Sequence, residues 1–214
     1  LFRIRAFSYG NIARLISFMA ISLNNLVLPL FLQLGMGLDP LKAGLLVAPT
    51  PLGLALLAPL TGWLSERVSV RLLTAVGMTV KAIACVLLAF VSLDASPLDL
   101  VLRLGLLGIG LGIFQTPNNN ALMSSLPRER LGVGSSFLSV VRSLGHSGGA
   151  ALATTIVSAR LLALTGQGAL HDLQGGTPMN VGPVLPAFME GFYYAYLAAA
   201  LLCITGAVVS ALPA

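Results

Sequence analysis

Apolar residues fall into six long runs along this chain, with polar and charged residues gathered between them. An apolar helix needs about 20 residues to cross a hydrocarbon core, and each run reaches that length. The pattern predicts spans at Tyr9–Leu34, Ala43–Leu64, Leu72–Val91, Leu98–Leu122, Gly132–Ala159 and Gly191–Leu212. Unpaired backbone groups cost several kcal/mol each in lipid, so the runs must be helical. The expected fold is an all-α, six-helix transmembrane bundle filling residues 1–214, with a long extracytoplasmic loop over 161–190.

The polar residues inside the runs are the informative ones, because ionisable groups within lipid mark pathways or partners. Ser135, Ser139, Arg142, His146 and Gly149 share one face of span five, and Phe137, Leu138, Val141 and Leu144 point elsewhere. Such a stripe either lines water or forms a hydrogen-bonded seam with another helix. An arginine at mid-depth favours the cavity. Span four repeats the pattern with Gly108, Gly112, Gln115 and Asn119, and Pro117 interrupts its hydrogen-bond ladder just before Asn118, Asn119 and Asn120. Irregular backbone at depth is tolerated where it meets protein or a water-filled space. Asn24 and Asn25 lie near the middle of span one, about 100° apart, so they can hardly face the same cavity. Arg103 lies close enough to the outer end of span four to snorkel. Lys81 does not, and is expected to find a polar partner between helices.

Composition agrees: 57% of residues are hydrophobic and 9% charged, against about a quarter charged in soluble domains. The chain is read as a multi-pass cell-membrane protein. Its net charge of +5 comes without a basic cluster or stacking platform, so nucleic acid is not a partner. The charges sort by side instead. With the N-terminus cytoplasmic, inner segments hold Arg3, Arg5, Arg67, Arg71, Arg128 and Arg130, and outer segments hold only Lys42 and Arg160. That is the positive-inside bias, and it places both ends in the cytoplasm. Trp63 and the Phe192–Tyr196 aromatics fall where interfacial belts are expected. Cys85 and Cys203 have no metal or redox spacing, and His171 with Asp172 makes no ligand set. The residues show no cofactor motif and no catalytic constellation, and no filter loop of a channel. The chain opens without Met or a signal peptide, so a fragment of something longer is expected.

Between spans two and three the sequence reads TGWLSERVSVRLL. This resembles the G-x-L-x-D-R-x-G-R-K/R loop of major facilitator superfamily transporters. Gly62, Leu64, Arg67 and Arg71 match it, Glu66 replaces the Asp, and Ser69 replaces the second Gly. The run GIGLGIFQTPNNNALMSSLPRERLGVGSSFLSVVRSLGHSGGAAL is similar to helices ten and eleven, in facilitator numbering, of the fourteen-span drug:proton antiporters. LPLFLQLGMGLDPLKAGLLVAPTPLG looks like the hinge between helices seven and eight of that family. The likeness extends from about Phe7 to Leu212.

The resemblance implies the C-terminal six-helix half of a facilitator, two three-helix inverted repeats, with spans one, two, four and five around a central cavity. It implies a multidrug exporter coupled to protons, with a missing N-terminal half as partner. The alternative is a facilitator of another small-molecule substrate, such as a sugar, siderophore or metabolite. Cavity residues would be Asn24, Asn25, Gln115, Asn118, Asn119, Arg142 and His146. Gly62, Glu66, Arg67, Arg71 and Arg130 would form the gate. Apart from Asp99 at the outer end of span four, the spans contain no Asp or Glu, so coupling carboxylates would sit in the missing half. Arg142 would then pair with one of them, or else meet an anionic substrate. Glu66 is expected to latch onto the Arg130–Gly132 segment when the cytoplasmic side closes.

Overall fold

The computed structural model describes residues 5–165 and 181–211. Arg3, His171, Asp172 and most of the predicted outer loop lie outside them. Helix α1 (Arg5–Leu30) ends in a wide i→i+5 turn over Phe31–Gly35, where Met36 N–H donates to Phe31 O at 3.1 Å. Gly37 then turns the chain at φ 64°, a conformation that favours glycine. Span two is two helices, α2 (Pro40–Val47) and α3 (Pro49–Leu64). Asp39 caps the first by accepting from Leu41 N–H at 3.1 Å. The remaining spans are α4 (Val70–Ala89), α5 (Pro97–Ser124), α6 (Leu131–Thr165) and α7 (Val181–Ala211).

Six segments are thus long and apolar enough to cross a membrane. Two boundaries differ from the sequence pattern. Helix α6 continues to Thr165, and α7 begins at Val181 rather than Gly191, carrying Pro186 within it. The Gly- and Pro-rich composition read as loop therefore conceals helix at both ends. One consequence is that Phe192 and Tyr196 lie turns inside α7, fully buried, rather than in an interfacial belt.

The packing follows the symmetry of two inverted triplets. Span two leaves its own triplet: α3 lies along α5, as α6 lies along α1. Helix α4 packs on α5 as α7 packs on α1, and α4 and α7 meet each other. Glycines set the closest approaches. A side chain on Gly108 would collide with the Thr50 carbonyl of α3, and one on Gly149 with the Met19 carbonyl of α1. Thr50 and Thr61 of α3 also donate to Leu104 O and Gly112 O of α5, at 3.3 and 3.1 Å. The core between the triplets holds Leu23, Met78, Leu88, Phe114, Phe192 and Tyr196. Outward faces stay apolar, with Leu52, Leu56 and Leu60 on α3 and Leu201, Ile204 and Val208 on α7 exposed. Such contiguous apolar surface suits lipid or a partner bundle, not water.

Candidate functional site

Polar side chains converge where α1, α5 and α6 meet. Arg14 of α1 is 7% exposed. Its Nη1 donates to Asn119 Oδ1 of α5 at 2.5 Å, and its guanidinium lies 5.1 Å from the Phe18 ring. That ring also stands 5.2 Å from the imidazole of His146 on α6, so Phe18 neighbours both a cation and an imidazole. Arg142 is exposed one turn before His146. Ser22 of α1 donates to His146 O at 2.7 Å, tying the two helices above this cluster.

The structure thus brings together Asn119, Arg142 and His146 and adds Arg14, which the polar pattern did not single out. Its signal is in the sequence: Arg14, Phe18, Ser22 and Asn25 recur at helical spacing on one face of α1. Gln115, one turn from Asn119, is half-buried, and Asn25 is exposed. The two stripes nevertheless divide. Gly108 and Gly112 are buried against α3 and Gly149 against α1, so the small residues make close helix contacts. Ser135 and Ser139 are exposed, their hydroxyls donating to Gly132 O and Ser135 O of their own helix. Helix α5 runs through Pro117 without ending.

Asn24 and Asn118 lie elsewhere. Asn24 is buried in the α1–α7 seam, where its Oδ1 accepts from the Tyr196 hydroxyl at 2.7 Å. Asn118 faces a crevice of about 180 Å³ between α1, α4, α5 and α7, shared with Tyr9, Arg71 and Ser210. Its Nδ2 has no hydrogen-bond partner. Lys81 finds the partner expected of it: it is fully buried, and its Nζ donates to Ser17 Oγ at 2.6 Å and to Ser17 O at 3.2 Å. Cys85 and Cys203, separate in sequence, are both buried and free. Arg103 pairs with Asp99 at 2.8 Å, and Arg160 with Glu190 at 3.4 Å.

At the other end, Arg67 stacks over Trp63 at 4.2 Å. A side chain on Gly62 would come into ordinary contact with Thr116 of α5. Glu66 and Arg130 are both exposed, and Glu66 makes no ion pair among the described residues. Helices α3 and α6 make no extended contact. The latch is not formed in this conformation.

A bundle of six helices long and apolar enough to cross a membrane, with polar side chains gathered where three of them meet, has the architecture of a solute transporter. The chain belongs to the Major Facilitator Superfamily, whose family model matches residues 2–164. It is 41% identical over 160 residues to the uncharacterized transporter YebQ of Escherichia coli (strain K12), covering 74% of this chain and 35% of that protein. It is 30% identical over 151 residues to the riboflavin transporter RibZ of Clostridioides difficile (strain 630), covering 71% and 33%. With the lincomycin resistance protein LmrB of Listeria innocua serovar 6a (strain ATCC BAA-680 / CLIP 11262) it shares 30% identity over 182 residues, covering 85% and 36%. The chain thus matches about a third of each relative's length. Its relatives are transport proteins, not enzymes.

Proposed function

We propose that this chain is the C-terminal half of a proton-coupled exporter of drugs or other small amphipathic molecules, working by alternating access. One observation carries the reading: Arg14, Asn119, Arg142 and His146 meet on α1, α5 and α6. In facilitator-type transporters substrate sites lie near the bilayer midplane, and one bundle rocks against the other. A half with this polar cluster between its helices needs a second bundle to enclose it. The resemblance to LmrB supports a drug-like substrate. The resemblance to RibZ supports a second reading, a transporter of another metabolite. Both readings use the same cavity, with Gln115 and Asn25 on its wall and both chain ends cytoplasmic.

The test uses the full-length protein in proteoliposomes, with ethidium efflux driven by an imposed pH gradient. Arg142→Ala is expected to abolish gradient-driven efflux at unchanged protein level. Unchanged efflux would remove Arg142 from the site. Wild-type protein that moves riboflavin and not ethidium would favour the metabolite reading.

A further inference from the structure

We infer that Arg14 and Arg142 together form a binding site for a single carboxylate group, with Asn119 as the residue that positions Arg14. The inference rests on the central-cavity reading above and gives its anionic component. Three observations carry it.

First, Arg14 is more than nine-tenths buried yet incompletely satisfied. Asn119 takes one N–H of its guanidinium, while Nε, also buried, has no hydrogen-bond partner. A guanidinium presents its donors as a rigid fork, and the unused edge of that fork matches the two oxygens of a carboxylate. Second, the neighbouring helix carries another guanidinium: Arg142 lies one turn before His146, whose ring packs on the same Phe18 ring that Arg14 covers. An anion held between the two arginines is attracted by both, and more strongly inside a bundle than in water.

Third, none of the described carboxylates meets either arginine. Asp99 and Glu190 are engaged by Arg103 and Arg160. Asp39 caps α2. Glu66, Asp94 and Glu129 lie in turns beyond the helix ends or in the short segment before α6. The partner must come from the rest of the transporter or from the transported solute. Asn119, on α5, holds one corner of the Arg14 fork away from its own helix, and the Phe18 ring lies against the guanidinium.

The experiment uses the full-length transporter in detergent micelles, comparing wild type with Arg14→Gln, Arg142→Gln and the double variant. Dicyclohexylcarbodiimide labels protonated carboxyls, and mass spectrometry locates them. If the carboxylate is the transporter's own, pairing keeps it ionised and unlabelled in wild type. The double variant then labels that position about tenfold more, the size expected for losing a neighbouring cation. If it belongs to the solute, cholate raises the melting temperature of wild type but not of the double variant, and the uncharged amide of cholate raises neither. Either pattern supports the site. Absence of both in a folded protein overturns it. Arg142 is exposed, so Arg142→Gln alone keeps the test open should the Arg14 variants not fold. Failure of the exporter reading appears separately, as wild-type protein without ethidium efflux, and leaves the labelling and melting results interpretable.

Discussion

Lys81 sits in the middle of the bundle, where a single serine supplies its hydrogen-bond acceptors. A buried polar group left unpaired costs about 1–3 kcal/mol, while replacing both partners by apolar groups can be nearly neutral. Ser17→Ala should therefore lower the melting temperature of the purified full-length protein. Adding Lys81→Met to Ser17→Ala should restore most of the loss, and a double-mutant cycle reads the coupling. Additive losses would show that Lys81 serves a partner other than Ser17. The Asn24–Tyr196 pair behaves in the same way: Tyr196→Phe strands a buried amide oxygen and should cost about 1–2 kcal/mol by thermal unfolding. At this scale the sequence was eloquent about which residues are unusual and silent about their partners. Lys81 stood out as an amine too deep to snorkel. Nothing in the spacing of Ser17, distant in the chain, marked it as the acceptor. Asn24 and Asn25 show the limit most clearly. Adjacent and identical, one faces α7 and the other is exposed, as their 100° separation requires.

Among elements, the glycines decide how close helices come. Gly108 meets the backbone of α3 and Gly149 the backbone of α1, whereas Gly105, on α5 as well, has nothing within 4 Å of its missing side chain. Gly108→Val and Gly149→Val should each destabilise the bundle by about 1–3 kcal/mol through overpacking. Gly105→Ala should be neutral, or stabilise α5 by about 0.5–1 kcal/mol. Melting temperatures of the three variants check the contrast, and equal effects would refute it. The polar stripes on α5 and α6 were legible as stripes because a 3.6-residue period aligns them. Their division into a glycine seam and a polar wall was not. Glycine fits equally well against a backbone, a cavity or lipid, and only the neighbouring helix distinguishes these. The start of α7 was hidden for a local reason: Gly and Pro near 181–191 read as loop, yet Pro186 is accommodated within the helix.

For the whole molecule, α3 packs on α5 and α6 packs on α1, each across to the other triplet, and Arg14, Asn119 and His146 gather where α1, α5 and α6 meet. The gate belongs to this scale as well. Glu66 and Arg130 are exposed and make no ion pair among the described residues. In a full-length background lacking Cys85 and Cys203, Glu66→Cys with Gly132→Cys should form a disulfide on copper-phenanthroline oxidation as the cytoplasmic side closes. That crosslink should arrest efflux until reduced. A pair that never crosslinks in any transport state would remove the latch. Sidedness is checked with the same chemistry: Arg130→Cys should react with an impermeant maleimide in inverted vesicles and not in intact cells.

The sequence by itself determined that six helices cross the membrane and which polar residues are too deep to be incidental. Lipid imposes those facts on any chain, through span length and the cost of unpaired polar groups. It also carried the family, through the loop from Gly62 to Arg71. Only the tertiary structure decided which deep residues meet: that Arg14 joins Asn119 and Arg142, that Lys81 closes on Ser17, and that Asn24 belongs to Tyr196. Those pairings depend on the rotation and register of one helix against another, set by close contacts such as Gly108 on Thr50 and Gly149 on Met19. No single helix encodes them.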